Sequence, residues 1–177
     1  MFCLGKKLKW ASRQLRRPLR HNLLLGAIHS LFWLVMKMMT LLAPAPDALY
    51  RYGELATAIT TECLADAYAG GDAEVTASLD VAVAFRESSF KRDAVGDGGH
   101  SVGAFQIYDG DRAMLEDVTL AVRTAHRMIR QSARVDPRHP LAFYARGPRY
   151  ASEEARRLSD DRVKLAAKTL AEARRTR

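Results

Sequence analysis

Cysteine is scarce in this sequence of 177 residues, in which only Cys3 and Cys63 occur. Two thiols at this spacing match neither a zinc motif nor a Cys-x-x-Cys pair, and they are too few for a disulfide framework. Histidines are scattered, with no second ligand at metal spacing, so the sequence predicts no metal site and no cofactor. The length instead indicates one domain with a hydrophobic core and an additional segment.

Acidic side chains are absent from residues 1–43, which carry eight Lys and Arg residues. Residues 44–177 hold 20 basic and 20 acidic residues, whose charges cancel. The net charge of +8 therefore belongs to the N-terminal segment, and the remainder has no obvious basic surface for phosphate groups. We expect no nucleic-acid partner.

Residues 1–21 form a basic segment, and residues 22–43 form a mostly apolar run. The run is about as long as a bilayer requires, and its basic flank predicts a cytoplasmic N-terminus and an exported body. We interpret 22–43 as a transmembrane signal-anchor helix and 44–177 as the domain that it carries. Lys37 opposes this interpretation, and an amphipathic arm, a cleaved signal or a later start of translation are alternatives.

Apolar residues recur at intervals of three and four through most of residues 44–177, which predicts a mainly helical domain. The predicted helices span residues 47–69, 73–90, 112–132 and 152–173. Asp72 is the expected N-cap of the second helix. Because residues 91–101 are rich in glycine and aspartate, we expect a loop there, with at most a small hairpin near 93–107.

Glu87 lies at the end of the second predicted helix, where Val83, Ala84 and Phe90 provide apolar neighbours. Burial against apolar surface raises the pKa of a carboxyl group and keeps it protonated near neutral pH. Glu87 is therefore our candidate for a general acid, the proton donor that cleavage of a glycosidic bond requires.

The loop after Glu87 has the composition of a ligand-binding segment. Its glycines, Gly103 among them, permit left-handed backbone and a close approach to an extended ligand. Ser101 and Gln106 offer hydrogen bonds from a segment that is too short to hide them. A solvated glutamate followed by an ordinary turn is the simpler alternative for Glu87 alone.

A hydrolase would also use a second carboxylate, for which Asp93, Asp97 and Asp109 are the candidates. Asp97 is the best of the three, because the sequence GDGG would hold it over a cleft, where it could position a water molecule. Turn formation explains an aspartate before glycine equally well.

Residues 87–90, ESSF, and residues 101–107, SVGAFQI, resemble the signature of SLT-type lytic transglycosylases and goose-type lysozymes. A partial third motif is FYARG at 143–147, in which Ala145 stands where that family has asparagine. The resemblance extends over about residues 73–170 in order and spacing.

The resemblance implies a lysozyme-like fold (mainly helical, α+β) and cleavage of the β-1,4 bond between N-acetylmuramic acid and N-acetylglucosamine in peptidoglycan. Glu87 matches the family's catalytic glutamate, and Ser101, Gly103 and Gln106 match its second block. In transglycosylases of this type one glutamate suffices, because it first protonates the leaving oxygen and then accepts the proton of the muramyl 6-hydroxyl. Tyr144 is expected to stack on a sugar ring in the cleft, although a core tyrosine with a satisfied hydroxyl is a close alternative.

We therefore expect a peptidoglycan-cleaving enzyme, tethered at the inner membrane with its domain outside the cytoplasm or carried by an assembly that crosses the wall. The exported orientation agrees with a substrate that exists only outside the cytoplasm. One alternative is a phage lysozyme that acts in lysis or in the virion. Another is a catalytically silent module that binds glycan or a partner, which Ala145 favours and Glu87 opposes.

Overall fold

The fold is mainly helical, and a computed structural model describes it for residues 25–175. The predicted basic segment 1–21 and the first residues of the predicted anchor lie outside the described residues. The helices are α1 (25–42), α2 (Ala48–Ala65), α3 (Ala73–Ser88), α4 (Val118–Val135), α5 (Ala142–Arg146) and α6 (Glu153–Arg175). The strands, all between α3 and α4, are β1 (Val95–Gly96), β2 (Ser101–Val102) and β3 (Ile107–Tyr108).

The central helix is α3, which packs along α6 and also contacts α2 and α4. Every side chain from Thr76 to Ala84 is buried. The predicted cap is confirmed, since the Asp72 carboxylate accepts hydrogen bonds from the amides of Glu74 and Val75 at 2.8 and 3.1 Å. After α3, Ser89 adopts a left-handed conformation that ends the helix and turns the chain into the loop.

The third predicted helix begins later than expected. Residues Arg112–Leu115 form a separate 3₁₀ turn, and α4 begins at Val118. The reason is local, because Asp111 and Asp117 each accept a hydrogen bond from a following amide and so start their own helical segment.

The strands form one antiparallel sheet in the order β1-β2-β3, with Val95 opposite Val102 and Ser101 opposite Tyr108. The structure thus contains the predicted small hairpin and adds a third strand to it. The sheet is only two residues long on each strand, and it holds the glycine-rich loop beside the end of α3.

Helix α1 contributes to the same hydrophobic core as α2 and α3. Its buried side chains are Leu31, Leu34, Val35, Met36, Met38 and Met39. The segment Leu25–Leu42 has a mean hydropathy of 1.6 and is long and apolar enough to cross a membrane, although core helices and signal sequences share these properties. The predicted boundary at residues 43 and 44 therefore runs through a shared core, and the membrane anchor stays a prediction.

Candidate active site

Glu87 lies in the last turn of α3, and its side chain is 21% exposed. The guanidinium of Arg162, on α6, donates a hydrogen bond to Glu87 Oε1. Burial raises the pKa of Glu87, the charge of Arg162 lowers it, and the charge of Asp97 raises it further, with a net increase. Glu87 is thus a mostly buried carboxyl group whose protonated form is favoured more than in water.

Arg162 is a site residue that the sequence reasoning missed. Its side chain is 11% exposed, and its buried Nη1 has no hydrogen-bond partner among residues 25–175. A signal existed, because Arg162 interrupts a stripe of small residues, Ala155, Ser159 and Ala166, at intervals of three and four. An arginine within a buried stripe requires an acidic partner, and here that partner is Glu87.

Asp97 is an exposed residue of the 3₁₀ turn between β1 and β2, and its φ is 47°. Its Oδ2 accepts a hydrogen bond of 2.6 Å from the Ser101 hydroxyl. The negative charge of Asp97 also contributes to the raised pKa of Glu87. Ser101 itself is only 3% exposed, so the expectation that the loop leaves it open is wrong.

Gln106 is half-buried and is held by the loop. Its Nε2 donates hydrogen bonds to the carbonyl oxygens of Gly103 and Ala94, at 3.0 and 3.2 Å. A Cβ atom on Gly96 would lie 2.2 Å from Gln106 Oε1, so a larger residue there would require the Gln106 side chain to move. At Gly103 the requirement is conformational, since its φ is +75°. Whether Gln106 and Gly103 contact substrate stays a prediction.

Ser88, next to Glu87, fixes the loop to the central helix. Its hydroxyl donates a hydrogen bond of 2.8 Å to the carbonyl oxygen of Ala104. The sequence reasoning gave Ser88 no role, because nothing in a single sequence indicates which carbonyl a helix-end serine will reach.

Tyr144, on α5, contacts the loop through its hydroxyl group. Its hydroxyl donates a hydrogen bond of 2.7 Å to the carbonyl oxygen of Phe105, and its amide donates to Ser132 Oγ at 3.0 Å. Burial, followed by the charge of Glu87, raises the pKa of Tyr144 well above its ordinary value. The hydroxyl is therefore satisfied within the chain and stays protonated. Stacking on a sugar ring stays a prediction.

Left-handed backbone at residues other than glycine is concentrated in this loop. In the described part of the chain such residues are Ser89, Phe90, Asp97, Gln106 and Asp109. Conformations of this kind cost free energy and collect at functional sites. Asp109, another of the candidate carboxylates, is exposed, and its Oδ1 lies 3.0 Å from His100 Nδ1.

A second polar cluster is buried between α2, α3 and α4. Asp80 accepts hydrogen bonds from the Tyr68 hydroxyl at 2.8 Å and from the ring of His126 at 2.7 Å, and Cys63 Sγ lies 3.5 Å away. Burial opposes the charged ring of His126, but Asp80 outweighs it and raises the pKa of His126. The cluster is a buried ion pair that joins three helices.

The same cluster could hold a metal ion, since ligand atoms of Cys63, Asp80 and His126 lie within 4.8 Å of one another. No local sequence pattern indicates this group, because Cys63 and His126 are 17 and 46 residues from Asp80. The hydrogen bonds already satisfy each of these side chains, and we assign no metal to them.

No protein-family model, curated protein or solved structure matches the chain. The chemistry of the site is therefore what indicates its function. That chemistry is a protonatable carboxyl group in a mostly buried position, with a second carboxylate near it and a glycine-rich loop beside it.

Proposed function

We propose that the chain is a peptidoglycan-cleaving enzyme, a lytic transglycosylase in which Glu87 is the general acid and base. The observation that carries the proposal is the burial of Glu87 at the end of α3, which raises its pKa. The resemblance of residues 87–107 supplies the substrate, the β-1,4 bond between N-acetylmuramic acid and N-acetylglucosamine.

In the proposed reaction Glu87 gives its proton to the glycosidic oxygen, and the bond from that oxygen to C1 of N-acetylmuramic acid breaks. The Glu87 carboxylate then accepts the proton of the muramyl 6-hydroxyl while O6 bonds to C1 and forms the 1,6-anhydro ring. No water is consumed, and Glu87 ends protonated. Arg162, which contacts Glu87, stabilises the carboxylate that exists between these two steps.

Two further candidates each have an observation in their favour. A lysozyme that hydrolyses the same bond is favoured by Asp97, whose charge raises the pKa of Glu87 and whose carboxylate could hold a water molecule. A silent module that binds glycan or a partner is favoured by the Glu87–Arg162 ion pair, which satisfies the carboxylate without substrate, and by Ala145.

We place the domain on the outer side of the inner membrane, associated with it through the N-terminal segment. The substrate supports this location, and the basic residues before α1 would attract the anionic surface of that membrane. A wall-crossing assembly or a virion would bring the same domain to the same substrate.

The experiment compares the full chain with Glu87→Gln on purified peptidoglycan, with products identified by mass spectrometry. Glu116→Gln, at an exposed carboxylate outside the site, is the matched control. We expect soluble muropeptides with anhydro ends from the wild type and the control, and none from Glu87→Gln. Reducing ends would assign a hydrolase. If the wild type binds glycan but releases no products, the chain is a silent glycan-binding module.

A further inference from the structure

The outer side of α1 is apolar, although its inner side belongs to the core. Trp33 and Leu41 are 48% and 43% exposed, and Lys37 lies midway between them, so that the three share one face of the helix. Nearer the N-terminus, Leu25 and Ile28 are exposed as well. Exposed apolar patches rimmed by polar residues mark sites that contact proteins or membranes.

A cavity of about 440 Å³ opens beside this face, between α1 and the start of α2. Its lining is mostly apolar and includes Trp33 and Leu49, with Lys37 among the few polar groups. Leu49 is 58% exposed. An elongated apolar ligand with an anionic end fits this chemistry, because the chain would contact the apolar lining while the ammonium of Lys37 pairs with the charge.

The sequence that precedes α1 carries the matching charge. Residues 1–24 contain seven Lys and Arg residues and no acid. Clusters of this kind are attracted to the surface of anionic membranes, by an amount that grows with each basic residue. The basic segment therefore directly precedes the helix that carries the apolar face and lines the cavity.

We propose that α1 is an interfacial docking helix for an anionic membrane and that the cavity takes one acyl chain of an anionic phospholipid. The helix lies in the plane of the interface, with its inner side still in the domain core and its outer side in the lipid. A spanning helix would present all of its sides to lipid, and the core surfaces that Val35 and Met38 now cover would be uncovered. This assignment goes beyond the proposed reaction and does not depend on Glu87.

The first test measures flotation of the full chain with vesicles of phosphatidylcholine alone or mixed with phosphatidylglycerol. We expect binding to the mixed vesicles, an about fivefold weaker partition for Lys37→Gln, and loss of binding for Trp33→Glu. Val135→Glu, which places the same charge at an exposed apolar residue of α4, is the matched control and should bind like the wild type. Absence of wild-type binding overturns the proposal. A concentration-dependent dimer in those samples would then assign the surface to a second copy of the chain.

The second test separates docking from spanning through the depth of Trp33, which lies at the middle of Leu25–Leu42. The chain has two tryptophans, so Trp10→Phe leaves Trp33 as the only reporter. Phospholipids with bromine near the headgroup should quench its fluorescence more strongly than those with bromine near the chain end. The opposite order would show that α1 crosses the bilayer and would overturn the docking geometry.

Discussion

The guanidinium of Arg162 pairs with the carboxylate of Glu87 across the contact between α6 and α3, and both side chains are mostly buried. Burial favours the neutral form of Glu87, whereas the charge of Arg162 favours its charged form. A residue that must give a proton and take one back requires both forms to be accessible. Burial and Arg162 act on the pKa of Glu87 in opposite directions, which suits a residue that is first the acid and then the base in the proposed reaction.

Replacement of Arg162 by glutamine should raise the pKa of Glu87 further, because burial then acts without an opposing charge. Since a general acid works when protonated, the alkaline limb of the pH–activity profile should move to higher pH. A carbon-detected NMR titration of the Glu87 carboxyl would measure the same shift without requiring activity. Arg162→Lys keeps a positive charge and should stay nearer the wild type. Equal pKa values in wild type and Arg162→Gln would contradict this role.

Gly96→Ala should displace Gln106, because the new Cβ would lie 2.2 Å from Gln106 Oε1. Loss of the two hydrogen bonds that Gln106 donates should lower the free energy of unfolding by about 1–3 kcal/mol, and peptidoglycan cleavage should fall with it. Gly53→Ala, in α2, has room for a Cβ and should be neutral or slightly stabilising. If Gly96→Ala acts through the Gln106 side chain, the double variant Gly96→Ala/Gln106→Ala should be no less stable than Gln106→Ala in urea denaturation. A double variant that is clearly less stable than Gln106→Ala would show that Gly96→Ala destabilises the protein in another way.

Met38→Ala should destabilise the whole domain, because Met38 is fully buried in the shared core. The expected loss in free energy of unfolding is about 2–5 kcal/mol, measured by urea denaturation of the full chain without lipid. Ile28→Ala, on the exposed part of the same helix, should change it by less than about 0.5 kcal/mol. If both variants unfold like the wild type, α1 does not contribute to the core in solution.

The buried pair of Asp80 and His126 should make stability depend on pH. Because the folded-state pKa of His126 is raised, its contribution is fully present below the unfolded-state pKa and is lost as pH rises through the folded-state value. Asp80→Asn should remove this slope and cost about 3 kcal/mol at low pH. Urea denaturation of the wild type and Asp80→Asn at several pH values around neutrality would measure this dependence. If the free energy of unfolding changes with pH equally in both proteins, the ion pair is not the cause.

Much of the helical architecture could be predicted from the sequence, because spacing of apolar residues and capping by Asp72 are local signals. The start of α4 was misplaced for a local reason too, since Asp117 outcompetes the apolar periodicity that continues before it. The sequence also predicted that Glu87 lies at the end of α3, which the structure confirms, whereas its catalytic role stays a prediction. Its partner Arg162 is 75 residues away, and no local pattern links the two.

The buried state of Ser101 and the core contacts of α1 were harder to predict for a common reason. Hydropathy reports that a segment avoids water, and it does not distinguish a protein core from a lipid bilayer. Likewise, a serine in a glycine-rich loop is polar in either setting, and only the fold decides that its hydroxyl donates to Asp97.

Asp80 and Glu87 are seven residues apart on α3, nearly two helical turns, so one face of this rod carries both the buried ion pair and the candidate acid. A single-residue deletion between them would rotate one end against the other by about 100°. Either Asp80 would lose His126 or Glu87 would turn away from Arg162. The segment between Asp80 and Glu87 should therefore tolerate substitutions better than insertions or deletions, because only the latter change the angle between the two side chains.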